Sequence, residues 1–274
     1  TPISENAFLG LAGGMAMDGR FRPVVEFMYP DFMWVAADQV FNQIGKARHM
    51  FGGDIDIPLV LRTKIAMGTG YGSQHSMDPA GIFATSPGWR IVAPSTAFDY
   101  VGLMNTALAA NDPVLVIEHV ALYQTMQKAP VDDLAYAIPF GKAAVLREGS
   151  DITLVTYGAT VQRALVAAKQ IAEEGGPSVE VIDLRTLSPW DEEAVFASVR
   201  KTGRVIVATE DSLSWGYGAE IAARIADECF AWLDAPVRRV ASADTFVGYA
   251  PSLEDATLPQ VETFRQAYVE LAVY

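Results

Sequence analysis

Outside its carboxylates the 274-residue chain offers few side chains for nucleophilic or acid–base chemistry: three histidines and one cysteine. A lone cysteine, Cys229, excludes a disulfide framework and any cysteine-rich metal site. His49 falls at an expected helix end, where a cation meets the negative end of the helix dipole, and reads as structural. His119 follows a buried strand beside Glu118, either as a strand-end pair or as the edge of a site. His75 lies in a glycine-rich stretch, Gly68-Thr69-Gly70-Tyr71-Gly72-Ser73, beyond the apolar run at 57–62. Loops at the carboxyl ends of parallel strands are where open α/β sheets bind ligands. The glycine run lacks G-x-G-x-x-G spacing and stands open between a backbone-approach loop beside a ligand and a plain flexible turn. Trp215-Gly216-Tyr217-Gly218 has the same two readings, with a helix-starting turn favoured. Glu5 after Ser4, taken alone, is an acid in the first turn of a helix, facing the positive dipole end. Phe32, among Phe27, Tyr29 and Trp34, reads alone as ordinary core. No Walker loop, H-E-x-x-H, C-x-x-C or G-x-S-x-G occurs.

The elements that must position these residues alternate in type. The first part of the chain predicts a helix at 6–17, a strand at 23–28 and a helix at 33–49 that stops at Gly52-Gly53. A strand at 91–94, a helix at 98–110 and a buried strand at 113–118 follow. Residues 123–140, with Pro130 and Pro139, break the rhythm and read as a linker. The second part predicts strands at 152–157, 179–184, 205–209 and 238–241. Helices are expected at 161–174, 192–201, 219–230 and 258–271. Alternation of this kind implies parallel sheets flanked by helices, so the expected architecture is two α/β domains, 1–135 and 136–274.

Composition bounds the partners. Lys and Arg number 20 against 33 Asp and Glu, a net charge of −13, which argues against nucleic acid or an anionic membrane as the main partner. No apolar run approaches the roughly 18–20 residues of a membrane span, and no signal peptide opens the chain. A soluble protein of a reducing compartment is expected, cytoplasmic or, in a eukaryote, of the mitochondrial matrix. The chain opens on Thr1-Pro2-Ile3-Ser4-Glu5 without an initiator Met, pointing to a polypeptide that begins earlier or to one piece of a larger one.

A set of ordered segments adds to this reading. Thr1-Pro2-Ile3-Ser4-Glu5, Arg22-Pro23-Val24-Val25-Glu26-Phe27-Met28, Ala37-Asp38-Gln39-Val40, Met50-Phe51-Gly52-Gly53, Pro58-Leu59-Val60-Leu61-Arg62-Thr63 and Ser73-Gln74-His75-Ser76 occur in this order. They continue through Ile117-Glu118-His119, Ile138-Pro139-Phe140-Gly141-Lys142-Ala143, Val181-Ile182-Asp183-Leu184-Arg185-Thr186-Leu187 and Gly218-Ala219-Glu220-Ile221. Leu233-Asp234-Ala235-Pro236, Tyr249-Ala250-Pro251 and Leu258-Pro259 close the series. Across essentially the whole chain this resembles the β subunit of a thiamine-diphosphate-dependent 2-oxo acid dehydrogenase, the group of pyruvate, branched-chain and acetoin dehydrogenases.

The resemblance implies a pyrimidine-binding α/β domain followed by a transketolase C-terminal-like α/β domain. It also implies a further N-terminal segment with the first strand of the sheet, so that segment or a partner is expected to cover the sheet's edge. Glu5 matches the glutamate that hydrogen-bonds the aminopyrimidine ring of thiamine diphosphate, for which it must hold or share a proton. Phe32 matches the aromatic residue lying against that ring, with Ile3 and Met28 in the same wall. His75 matches the histidine that assists acyl transfer to a lipoyl group on an acyltransferase component, a task suited to imidazole near neutrality. A potassium ion is implied on main-chain carbonyls at Leu59, Ala107, Leu108, Ala110 and Asp112; an ordinary helix C-terminus reads equally well there.

Two departures matter. The Gly-Asp-Gly segment with a downstream Asn that anchors diphosphate through magnesium is missing, since Gly53-Asp54-Ile55 lacks the second glycine. This chain is therefore expected to supply the pyrimidine half of a site. An α subunit, or an α-like part of a larger chain, supplies the Mg2+ half in a two-α, two-β assembly. Lys64-Ile65 and Met77-Asp78-Pro79 also replace the family's usual residues near the site, leaving the 2-oxo acid and lipoyl partner unassigned. The competing readings are a two-chain transketolase, for which three histidines are few, and a cofactor-free structural subunit, against which Glu5, Phe32 and His75 speak.

Overall fold

The fold is described from a computed structural model covering residues 1–125 and 127–274. Helix α1 (Glu5–Met17) begins after Ser4, whose carbonyl accepts from the Ala7 and Phe8 amides. Its small residues allow close approach: a Cβ on Gly13 would lie 3.0 Å from Ile44. The edge strand β1 (Val24–Phe27) pairs in parallel with β2 (Val60–Ile65). Between them the segment expected as one helix divides into a 3-10 turn (Pro30–Ala36), a π-helical stretch (Asp38–Ile44) and α2 (Gly45–Met50). The wide turn has a local cause. The Gly45 amide reaches back to the Val40 carbonyl, which also accepts the Trp89 indole N–H at 3.0 Å.

The first sheet continues through α3 (Ala80–Ala84), β3 (Arg90–Val92), α4 (Ala97–Ala109), β4 (Val114–His119) and the short α5 (Val120–Tyr123). All of β4 is buried, as a parallel strand covered on both faces requires. The expected linker at 123–140, of which Met126 lies outside the described residues, is bound down on α4. Asn105 Nδ2 donates to the Leu134 and Tyr136 carbonyls at 2.8 Å each, and the Ile138 amide donates to Gly102 at 3.1 Å.

The second half of the chain contains β5 (Ala144–Arg147), β6 (Ile152–Thr156), α6 (Thr160–Glu173), β7 (Val179–Asp183), β8 (Thr186–Ser188), α7 (Glu192–Thr202), β9 (Val205–Ser212), α8 (Tyr217–Glu228), β10 (Arg238–Ser242), α9 (Pro251–Thr257) and α10 (Val261–Ala272). Helix α7 shows why the chain folds this way locally. Asp191 caps its start by accepting from the Ala194 amide, acids fill its first turn and Arg200 and Lys201 its last. Gly203 ends it at φ 67.

Both sheets have five strands, ordered β1-β2-β4-β3-β8 and β10-β9-β6-β7-β5. Neither is purely parallel. β5 runs antiparallel to β7, and β8 leaves the second half of the chain to pair antiparallel with β3 in the first sheet. The junction is also continuous in its packing, since Phe27 and Ile117 belong to one buried apolar cluster with Val155, Ile182 and Tyr217.

Candidate active site

Four of the residues singled out in the sequence line one cavity of about 780 Å³: Ile3 and Glu5 at the start of α1, Met28 after β1, and Phe32 in the 3-10 turn. The cavity is open beside the edge strand. Ile3 is 95% exposed and Met28 60%, so its apolar wall is incomplete on this chain alone. Glu5 is half-buried, leaving its carboxyl at the apolar surface with access to a ligand. An aminopyrimidine is a flat ring with a polar edge. Phe32, Ile3 and Met28 present apolar surface and Glu5 a carboxyl, a set that fits such a group; Glu26, also on the cavity, is bound by Arg62 and Lys64.

His75 sits behind Phe32. Its ring meets Tyr29 and Phe32 edge to face, with centroids 4.6 and 5.4 Å away, and Tyr71 lies at 5.7 Å. The imidazole Nδ1 is buried without a hydrogen-bond partner. Burial, reinforced by Tyr71, pushes the Tyr29 hydroxyl up to about 12, so it stays a proton donor at neutral pH. Asp31, whose carboxylate accepts from the Met77 amide at 3.3 Å, is raised by burial. Tyr29, Asp31 and Tyr71 were not singled out in the sequence; the one local signal was their place within segments flanking Phe32 and His75.

The other histidines are elsewhere. His49 is exposed in the last turn of α2, on a cavity of about 1000 Å³ with Arg48 and Arg90. His119 is a strand-end pair at the domain junction. Its Nδ1 accepts from the Ala121 amide at 3.2 Å, and its Nε2 lies 2.7 Å from a Glu210 carboxylate oxygen. Burial alone would raise Glu210, but His119 and the Arg163 guanidinium outweigh it and hold the carboxyl at about 2. Beside them Asp78 accepts from the Tyr157 hydroxyl at 2.9 Å and from the Ala80 amide at 2.9 Å. Burial, with Asp211 adding like charge, pushes Asp78 up to about 8. Glu118 is likewise committed: Arg62 grips both its oxygens at 2.6 and 2.7 Å, and the Tyr100 and Tyr123 hydroxyls donate to it.

The glycine run packs against the second half of the chain and carries His75 in a 3-10 turn, Ser73–His75. Trp215-Gly216-Tyr217-Gly218 starts α8 at Tyr217, with Trp215 98% exposed at φ 67. Four of the five carbonyls considered for potassium have donors. Leu59 accepts from Val114 and Ala107 from Ala110, while Arg22 donates to Leu108 and Ala110 at 3.1 and 2.7 Å. The Asp112 side chain binds Arg48 and Arg90. Among the described residues no group of three or more His, Cys, Asp or Glu is placed to hold a metal ion, and no helix is long and apolar enough to cross a membrane.

Comparison with known proteins places this geometry. Residues 1–126 match the transketolase pyrimidine binding domain and residues 141–263 the transketolase C-terminal domain. A solved structure titled a split-gene transketolase, an inactive β4 tetramer, superposes with a TM-score of 0.78 at 22% identity, over 99% of this chain and 82% of that one. That likeness defines the fold: a transketolase-like pair of domains. Sequence relatives define the family. The chain is 43% identical to the β subunit of acetoin:2,6-dichlorophenolindophenol oxidoreductase of Cupriavidus necator, over 94% of this chain and 75% of the relative. It is 41% identical to the pyruvate dehydrogenase E1 component subunit beta-1 of Arabidopsis thaliana (97% and 74%). With the 2-oxoisovalerate dehydrogenase subunit beta of Bacillus subtilis the identity is 39% (100% and 83%). The chain belongs to the β-subunit family of the thiamine-diphosphate-dependent 2-oxo acid dehydrogenases, a family of oxidoreductases.

Proposed function

We propose that this chain supplies the pyrimidine half of a thiamine-diphosphate site, with Glu5 and His75 as its acid–base groups, in an enzyme that decarboxylates a 2-oxo acid and acylates a lipoyl group. The observation that carries the reading is the convergence of Ile3, Glu5, Met28 and Phe32 on one cavity, with the Phe32 ring also against His75. When bound, the cofactor's thiazolium supplies the nucleophilic carbon and the electron sink for decarboxylation. This chain's residues do the rest. Phe32, Ile3 and Met28 hold the pyrimidine ring by apolar contact. Glu5 holds or shares a proton at the ring's edge, a role open to a half-buried carboxyl beside apolar surface. His75, with an unpartnered Nδ1, is free to pass a proton during acyl transfer to the lipoyl group.

The cavity wall formed by Ile3 and Met28 is open to solvent here, a face for a further N-terminal segment or a partner to cover. We assign the missing half, with the diphosphate and Mg2+, to an α subunit or α-like segment in a two-α, two-β assembly. The lipoyl group would be presented by an acyltransferase component. Pyruvate, branched-chain and acetoin-type substrates remain open to assay. A potassium ion at the end of α4 would share the Leu108 and Ala110 carbonyls with Arg22, and a Tm raised by K+ over Na+ tests for it. The domain division at residue 135 is kept as a working boundary. With His119 bound to Glu210 and His49 at the end of α2, His75 is the sole histidine of the site, which does not favour sugar-phosphate transfer.

The test is to co-purify the chain with its partner and assay decarboxylation and lipoyl acylation separately. His75→Ala is expected to lower lipoyl acylation by about 10²–10⁴-fold while decarboxylation to an artificial acceptor persists. Equal loss in both half-reactions would remove the role given to His75.

A further inference from the structure

We infer that Glu254 and Tyr249, from the far half of the chain, are positioning residues for the loop that carries His75; the inference rests on the role proposed for His75. The loop is poorly determined by its own sequence. Gly68, Gly70 and Gly72 all have positive φ, at 72, 78 and 71°, which glycine adopts without strain, but ordering glycine in any conformation costs more chain entropy than ordering another residue. Its internal hydrogen bonds close its base and its His75 end. Thr69 Oγ1 donates to the Ala66 carbonyl at 2.6 Å, the Ala66 amide to the His75 carbonyl at 3.1 Å, the His75 amide to the Gly72 carbonyl at 3.2 Å and Ser76 Oγ to the same carbonyl at 2.8 Å, while none of them reaches the Gly70 amide.

What fixes its middle comes from elsewhere. The Gly70 amide donates to Glu254 Oε1 at 3.0 Å, across 184 residues of sequence, and Glu254 is 4% exposed. A hydrogen bond from a backbone amide to a buried carboxylate is among the stronger kinds. Two residues on, the Tyr249 ring fills the space a side chain at Gly72 would need: a Cβ there would lie 2.3 Å from the ring. Glu254 in α9 and Tyr249 just before it thus hold Gly70 and Gly72, five and three residues before His75. Neither touches the cofactor cavity, so both act through the loop.

The experiment uses the assembled holoenzyme. Glu254→Ala should speed amide exchange in the 66–76 segment. It should also lower lipoyl acylation by about 10- to 100-fold, the scale of an approximately 1 Å misplacement, with decarboxylation retained. Glu254→Gln keeps the Oε1 acceptor and should recover most of the rate and the protection. Tyr249→Ala, at an exposed position that tolerates truncation, should loosen the same segment. Unchanged exchange in both Ala variants overturns the inference. So does Glu254→Gln behaving like Glu254→Ala, or an equal fall in both half-reactions. If His75→Ala fails to separate the half-reactions while Glu254→Ala still loosens the loop, the anchoring stands and the role of His75 falls.

Discussion

A carboxyl group at position 5 can hold or share a proton; an amide in the same space cannot give one up. Glu5→Gln is therefore expected to reduce decarboxylation by about 10²–10⁴-fold. Because Glu5 is half-buried and makes no ion pair among the described residues, Tm should be nearly unchanged. Steady-state rates and a thermal melt on the same sample check this. At this scale the residues were only partly legible in the sequence. Glu5 looked like a helix first-turn acid and Phe32 like core; Glu5 does open α1, whereas Phe32 is half-buried on the cavity wall rather than in the core. Their further meaning depends on a ligand, and local pattern does not encode one; the ordered segments carried it. Asp78 stood out as a departure, but nothing in its neighbourhood revealed that Tyr157 and Asp211, from the other half of the chain, bury it.

Elements were easier to read where one face or one cap decides them. Helix α7, with Asp191 before it and Gly203 after it, was expected almost as found. The helix expected at 33–49 was not, because the break comes from outside: Trp89 occupies the Val40 carbonyl, and the Gly88 backbone crosses Gly45 closely. A Cβ on Gly88 would stand 1.9 Å from the Gly45 oxygen. Gly88→Ala should therefore destabilise the protein by at least about 1–3 kcal/mol, read from denaturant unfolding. Gly14→Ala in α1, where nothing lies within 4 Å of the added Cβ, should be neutral or stabilising by up to about 1 kcal/mol. Short elements such as β8 were missed because three residues carry no period, and a tertiary partner alone makes them strands.

For the whole molecule, the junction between the sheets is where pH should act. Burial raises Asp78 to about 8 and Asp183 to about 7, from an ordinary value of 3.8. Both bind a proton more tightly folded than unfolded. Their contribution to stability is full below about pH 4, is lost progressively as pH rises to 7 to 8, and is absent above. Asp78→Asn should flatten part of that decline, measured as Tm against pH; an unchanged slope would mean that Asp78 does not titrate there. Carboxylates such as Glu210, held low by His119 and Arg163, act oppositely, adding stability that is full above about pH 4.5 and lost as pH falls toward 2. The pairing of β8 with β3 has a consequence for how the protein is made. Ile91 finds its neighbour in Ser188 and Val92 in Thr186, so a ribosome releasing the chain from its N-terminus exposes β3 long before its cover is synthesised. Throughout that interval the nascent first half carries an open strand edge, and it is there that a holding chaperone has most to do.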